Sequence, residues 1–158
     1  MATPATTARG TPSGIPLRNG HSTKVAFARN ATLSLWEKTV TPPGITGGDA
    51  IDTTTMHNTT YRTKRPRDLL DVPDYTMVCE YDPVAYDQVR ELINEEDAIT
   101  VHFPDGSTLD HFGFMMSVEP DENEEGTDPT MTVTIAVSNW DPDNNVEQGP
   151  VLTEVSGT

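Results

Sequence analysis

Apolar and polar residues alternate with a period of two through most of this chain, the signature of strands with one buried face. The cleanest case is Met131, Val133, Ile135 and Val137, interleaved with Thr132, Thr134 and Ala136. Val25 and Phe27, then Ala31, Leu33 and Leu35, alternate in the same way on either side of Arg29-Asn30, which predicts a β-hairpin. Thr41-Pro42-Pro43-Gly44 ends its second strand, because proline has no N–H to give the ladder. A further strand ends near Thr55 after the Gly47-Gly48 turn, and another runs from Tyr75 to Tyr81. Ile99, Val101 and Phe103 alternate with Thr100 and His102, and Pro104-Asp105-Gly106 supplies a turn into a strand from Ser107 to Val118. There Phe112, Phe114, Met116 and Val118 are predicted to share the inward face, with a bulge deciding between Leu109 and Asp110 nearer the turn.

One stretch follows the helical period instead. Asp82 can accept from the first free amides and Pro83 loses nothing at the first helical position, so a helix is predicted from there to about Asn94. Ala85, Val89, Leu92 and Ile93 fall on one face of it. The sum is a mainly β (α+β) chain: an antiparallel β-sandwich of six to seven strands with one flanking α-helix. Residues 23–140 carry that pattern, between a flexible N-terminal arm over 1–22 and a flexible C-terminal tail over 141–158. In the N-terminal arm, Ile15 and Leu17 are candidates for docking on a neighbour.

Between Thr55 and Tyr75 the pattern lapses. Residues 57–67 form a polar and basic loop holding Tyr61, Arg62, Lys64, Arg65 and Arg67, followed by Leu69 and Leu70. With almost no core-forming residue it cannot fill the domain's own interior, and a structureless loop of that length usually serves a function or a partner. It is expected to be disordered in the monomer and to order on assembly.

Composition sharpens this picture. At 158 residues and 17.3 kDa the chain has room for one core, and its hydrophobic fraction of 34% and mean hydropathy of -0.49 suit thin β layers with polar tails. Residues 1–67 carry nine Lys or Arg against three acids, a net +6; residues 68–158 carry Arg90 against twenty-two acids, a net -21. Such polarity lets the basic part of one copy meet the acidic part of another; an acidic surface with a basic tail, or adaptation to salt, reads the same numbers without a partner. No apolar run reaches membrane-spanning length and the N-terminus lacks a signal-peptide core, so no membrane anchor is expected.

Chemistry is sparse. His21, His57, His102, His111 and Cys79 stand in no zinc spacing, and Gly47-Gly48 lies in no phosphate-loop motif. His111 and Asp110 point to opposite faces of their strand and cannot pair as an oriented base. Cys79 sits in an apolar strand and reads as core. Asp141, Asp143 and Asn145 open like a calcium loop but lack its Gly and closing Glu. No enzyme, cofactor or metal is expected, and the strongly negative charge makes the basic cluster weak support for nucleic-acid binding.

A Gly-rich turn, the run Ile51-Asp52-Thr53-Thr54-Thr55 with His57 following, the basic loop, Leu69 to Tyr75 and a helix after Asp82-Pro83 together resemble the major tail tube proteins of long-tailed, siphovirus-like bacterial or archaeal viruses. The similarity lies in element order over about 24–138. It implies a structural virion protein of homohexameric rings stacked into a tail tube, a conduit for genome delivery assembled in the host cytoplasm. By that resemblance its partners are other copies of itself, a tape-measure protein, and DNA passing through the lumen without sequence-specific binding. The loop 57–67 would then reach an adjacent ring, with Tyr61, Arg62, Lys64, Arg65 and Arg67 as inter-subunit contacts. The alternatives are a tail terminator or connector ring of the same fold, and a monomeric β-sandwich module binding glycan or calcium.

Overall fold

A computed structural model describes residues 23–33 and 35–154. The predicted N-terminal arm, with Ile15 and Leu17, and the last four residues of the predicted tail lie outside them. In chain order the elements are β1 (Lys24–Phe27), β2 (Glu37–Val40), β3 (Ile51–Asp52), β4 (Lys64–Arg65), β5 (Tyr75–Glu80), α1 (Pro83–Glu91), β6 (Asp97–His102), β7 (Thr108–Pro120), β8 (Thr130–Val137), β9 (Trp140–Asp141), β10 (Val146–Glu147) and β11 (Val151–Thr153). The fold is mainly β and antiparallel, with a single short helix among the described residues, as the alternation predicts. Seven strands make one sheet in the order β1-β6-β7-β8-β5-β2, with β11 also paired to β7.

The inward residues form one cluster: Val25 and Phe27, Tyr75, Met77 and Cys79, Ile99 and Val101, Met115 and Val118, and Met131, Val133 and Ile135. Strand β8 fulfils its prediction, since Met131, Val133 and Ile135 are fully buried and Val137 half-buried. Ala85 and Val89 of α1 close the same cluster, with Leu92 and Ile93 packed beside it. Asp82 caps this helix by accepting from Val84 N at 3.0 Å, and the helix stops at Glu91, short of the predicted Asn94. Asn94 adopts φ 63, and its N–H donates to Met115 O at 3.0 Å, which ties the helix end to β7. Replacing Asp82 with alanine is expected to cost about 1 kcal/mol in chemical denaturation, the usual worth of a helix N-cap.

Three expectations give way to tertiary effects. Residues 24–28 and 31–36 do not form a hairpin: β1 pairs with β6, while the following strand starts only at Glu37 and pairs with β5 at the other end of the sheet. The Arg29 amide donates to both carboxylate oxygens of buried Asp97 at 3.1 Å, and this turns the chain away after β1. The two end strands still meet through a side chain, for Val25 N donates to Glu37 Oε1 at 3.2 Å, so the sheet curls almost into a closed barrel.

In β7, His111, Gly113 and Met115 face inward, whereas Phe112 and Phe114 are half-buried on the other face and Met116 is 45% exposed. The cause is a register shift between Met115 and Ser117, an extra residue that reverses the parity and returns Val118 to the core. The C-terminal stretch, expected as a flexible tail, is paired instead. Residues 140–153 form the β9–β10 hairpin and β11, whose Val151, Leu152 and Thr153 pair with Asp110, Leu109 and Thr108. Strand β8 leaves β7 at Gly113, so the amino-terminal end of β7 would otherwise lack a partner on that side.

Candidate assembly interface

The basic loop is not structureless. Its ladder continues that of β2 and β5: Val40 faces Met77, Thr46 bridges Asp71, Ile51 faces Arg65 and Asp52 faces Lys64. Thr53 N donates to Thr63 O at 2.9 Å, one step further out. Residues 41–74 are therefore one antiparallel ribbon that leaves the sheet and returns, and only Val72 within it is buried. At about 3.3 Å per residue, each limb can reach on the order of 50 Å if straight.

Local polar contacts, not burial, shape the tip. Thr55 N donates to Asn58 Oδ1 at 2.8 Å, Asn58 Nδ2 donates to Tyr61 O at 2.9 Å, and the Thr53 and Thr63 hydroxyls meet at 3.1 Å. Thr and Asn side chains can stand in for missing backbone partners, so a core-free segment still folds into a hairpin. Every one of these bonds is open to solvent, and an isolated two-stranded hairpin is only marginally stable. Amide exchange at residues 51–65 is accordingly expected to be fast in dilute protein and at least tenfold slower once copies assemble; equal rates in both states would refute that role for the ribbon.

The five predicted contact residues sit on this ribbon but not in one patch. Lys64 and Arg65 are strand neighbours and point to opposite faces. On the face of Lys64 lies Asp52, which Arg62 Nη1 approaches at 3.3 Å. Hydrogen bonds from the Thr54 hydroxyl and amide, with Lys64 nearby, hold the Asp52 carboxyl below its usual range. Arg65 instead shares its face with Ile51. Arg67 turns back along the ribbon, its Nε donating to Asp49 O at 2.8 Å and its side chain lying against Gly48, which has φ +74. Tyr61 projects at the tip, 81% exposed. Apolar groups that the charge pattern drew attention away from are as prominent: Met56 is 99% exposed, Leu69 80% and Leu70 71%.

Sheet edges are the second feature. A groove of about 630 Å³ runs along β1, lined among others by Lys24, Ala26, Phe27, Leu33, Leu35 and Phe103. It lies where the curled sheet stops short of closing and the Glu37 side chain accepts from Val25 N. Trp140, Val146, Val151 and Leu152 stand exposed along the C-terminal segment.

The candidate reactive groups are occupied elsewhere. Burial, with Glu37 nearby, pushes the Cys79 thiol up to about 12, so it stays protonated and inert. Asp110 accepts from Thr100 Oγ1 at 2.6 Å on the outer face, while His111 is buried beneath. The Asp141 carboxylate accepts from Asn144 Nδ2 at 2.7 Å and from the amides of Asp143 and Asn144, which close the β9–β10 turn. Asp121, just after β7, accepts from the Thr130 and Thr132 hydroxyls at 2.7 and 2.8 Å.

No family model matches this chain, and no curated protein matches its sequence. Among solved structures, a chain from a cryo-EM structure of the anti-feeding prophage (AFP) baseplate, 6-fold symmetrised, shares the fold with a TM-score of 0.60 at 8% sequence identity. The match covers 94% of this chain and 99% of that one.

Proposed function

We propose that this chain is a structural subunit of a virus-like tail, and that its copies form hexameric rings which stack into a tube. The observation that carries this reading is the ribbon: residues 41–74 continue the sheet as a paired two-limbed excursion, bury only Val72 and display exposed aromatic, aliphatic and basic side chains. A monomer gains little from ordering such a segment, whereas a second copy supplies the surface it lacks. The charge division supports the partner being another copy, since the net +6 of residues 1–67 complements the net -21 of 68–158. Open edges at β1, β2 and β11 are places where strands of adjacent copies can add, as the resemblance to tail tube proteins implies.

Fold likeness to a chain of a 6-fold symmetrised baseplate supports a ring-forming role and also favours a second reading, in which the rings do not stack and the protein is a terminator or connector ring. In the tube reading the genome passes through a wall of net negative charge, which repels phosphate and lets the duplex slide, with a tape-measure protein occupying the lumen before it. Negative-stain micrographs of concentrated protein separate the readings. Long tubes with a regular axial repeat are expected; single rings select the second reading, and a sedimenting monomer at high concentration overturns both.

A further inference from the structure

β1 ends the sheet: β6 lies on one side of it, and no strand of the described residues lies on the other. Its ladder fixes which backbone groups look outward. Ala28 N donates to Ala98 O at 3.1 Å, so the even-numbered residues bond towards β6, while Val25 N, which meets Glu37 Oε1 at 3.2 Å, points with Phe27 the other way. These groups border the groove of about 630 Å³, which Leu33 and Leu35 also line, both packed against the core cluster. A row of outward N–H and C=O groups beside apolar side chains is the surface that one more strand fits.

The sequence supplies such a strand. Residues 1–22 precede the described part of the chain, which begins at Thr23 on this edge. Within them Asn19-Gly20 is a strong hairpin signal, and Ile15 and Leu17 alternate with Pro16 just before it. The prolines decide the register. Pro12 and Pro16 have no N–H and must face away from β1, so residues 11, 13, 15 and 17 carry the bonds and meet the odd-numbered residues of β1. Odd facing odd demands a loop with an odd number of residues. Arg18-Asn19-Gly20 is such a loop, and Gly20 falls at the position that needs a positive φ. Leu17 then stands opposite His21, Ile15 opposite Thr23, Gly14 opposite Lys24 and Ser13 opposite Val25.

We propose that residues 11–17 fill this groove as a strand of the same chain, antiparallel to β1, and close the edge where the sheet stops short. Parity places Ile15 and Leu17 on the inward face with Val25 and Phe27. Lys24 faces His102, so the next step of the ladder brings Thr23, with Ile15 beside it, to Phe103, which packs on the core cluster. The Ser13 carbonyl takes the Val25 amide over from Glu37, whose carboxylate turns to solvent. Because Pro12 and Pro16 face outward from the added strand, it offers no full ladder to a further copy, and β2 and β11 remain as the edges for neighbours. A lone monomer completes its sheet this way, whether or not rings form.

Hydrogen exchange of the full chain in dilute protein is expected to show residues 11–17 protected about tenfold or more relative to the variant Ile15→Asp/Leu17→Asp, with residues 23–28 losing protection in that variant. The substitutions touch no residue of the described core cluster, and unchanged protection of β8 reports that the variant is folded. Gly14→Cys/Lys24→Cys places a non-hydrogen-bonded pair on the outer face. It is expected to close an intrachain disulfide about tenfold faster than Gly14→Cys/Ala26→Cys, which is out of register, whereas loop length alone separates the two hardly at all. Buried Cys79 takes no part. Random-coil exchange of 11–17 in dilute protein, unchanged exchange of 23–28 in the folded variant, equal oxidation rates of the two pairs, or a disulfide that links two chains would each overturn the proposal.

Discussion

Gly113→Ala is expected to destabilise the native fold severely, although the change adds one methyl group. A Cβ at this position would overlap the carbonyl oxygen of Ala136 and press on Val137 Cα at 3.3 Å. The obstacle is backbone of the adjacent strand, not the tip of a side chain, so relief requires β7 and β8 to move apart. These two strands sit at the centre of the sheet order and carry Met115, Met131, Val133 and Ile135 into the core. Separation there exposes apolar surface on both, and a loss on the order of 4 kcal/mol or more is expected, a large share of a typical domain's 5–15 kcal/mol. Circular dichroism and the denaturation midpoint measure it. A Gly113→Ala protein with the wild-type midpoint would show that the strands do not approach this closely.

The second large effect separates assembly from folding. Replacing Arg62, Lys64 and Arg65 together with alanine is expected to stop polymerisation while shifting the monomer's melting temperature by no more than a degree or two. All three are exposed and outside the core cluster, and the ion pair of Arg62 with Asp52 is solvent-screened. Because Lys64 and Arg65 occupy opposite ribbon faces, the single variants need not behave alike. Whichever of the two is silent identifies the face turned away from the partner. Light scattering at increasing concentration gives the readout, and raised salt should imitate the triple variant if the contact is chiefly electrostatic. Normal tube or ring growth by the triple variant would remove the basic side chains from the interface and leave Met56, Tyr61, Leu69 and Leu70 to carry it.

Period-two alternation located β5, β6, β7 and β8 and the inward residues Met131, Val133 and Ile135, because a sheet with one dry face imposes that period on any sequence. Asp82-Pro83 marked the start of α1, because capping is a contact between near neighbours. The ribbon's isolation was legible too, from the lack of core-forming residues around Tyr61 to Arg67. Its pairing was not, because Thr53, Asn58 and Thr63 hold it through side-chain hydrogen bonds that leave no hydrophobic pattern. The segment after Trp140 was missed for a related reason: two-residue strands are too short to show a period, and β11 gains its place only because β7 outlasts β8.

Sequence alone determined the local facts: which residues alternate, where the helix begins, where charge changes sign, and which stretch could build no interior. Tertiary structure decided everything that depends on a partner distant in the chain. Buried Asp97 captured the Arg29 amide and sent β1 and β2 to opposite ends of the sheet, and one extra residue at Met116 turned Phe112 and Phe114 outward and His111 inward. Alternation states that a strand has two faces; which neighbour it pairs with, and which face is dry, follow from contacts that no window of adjacent residues contains.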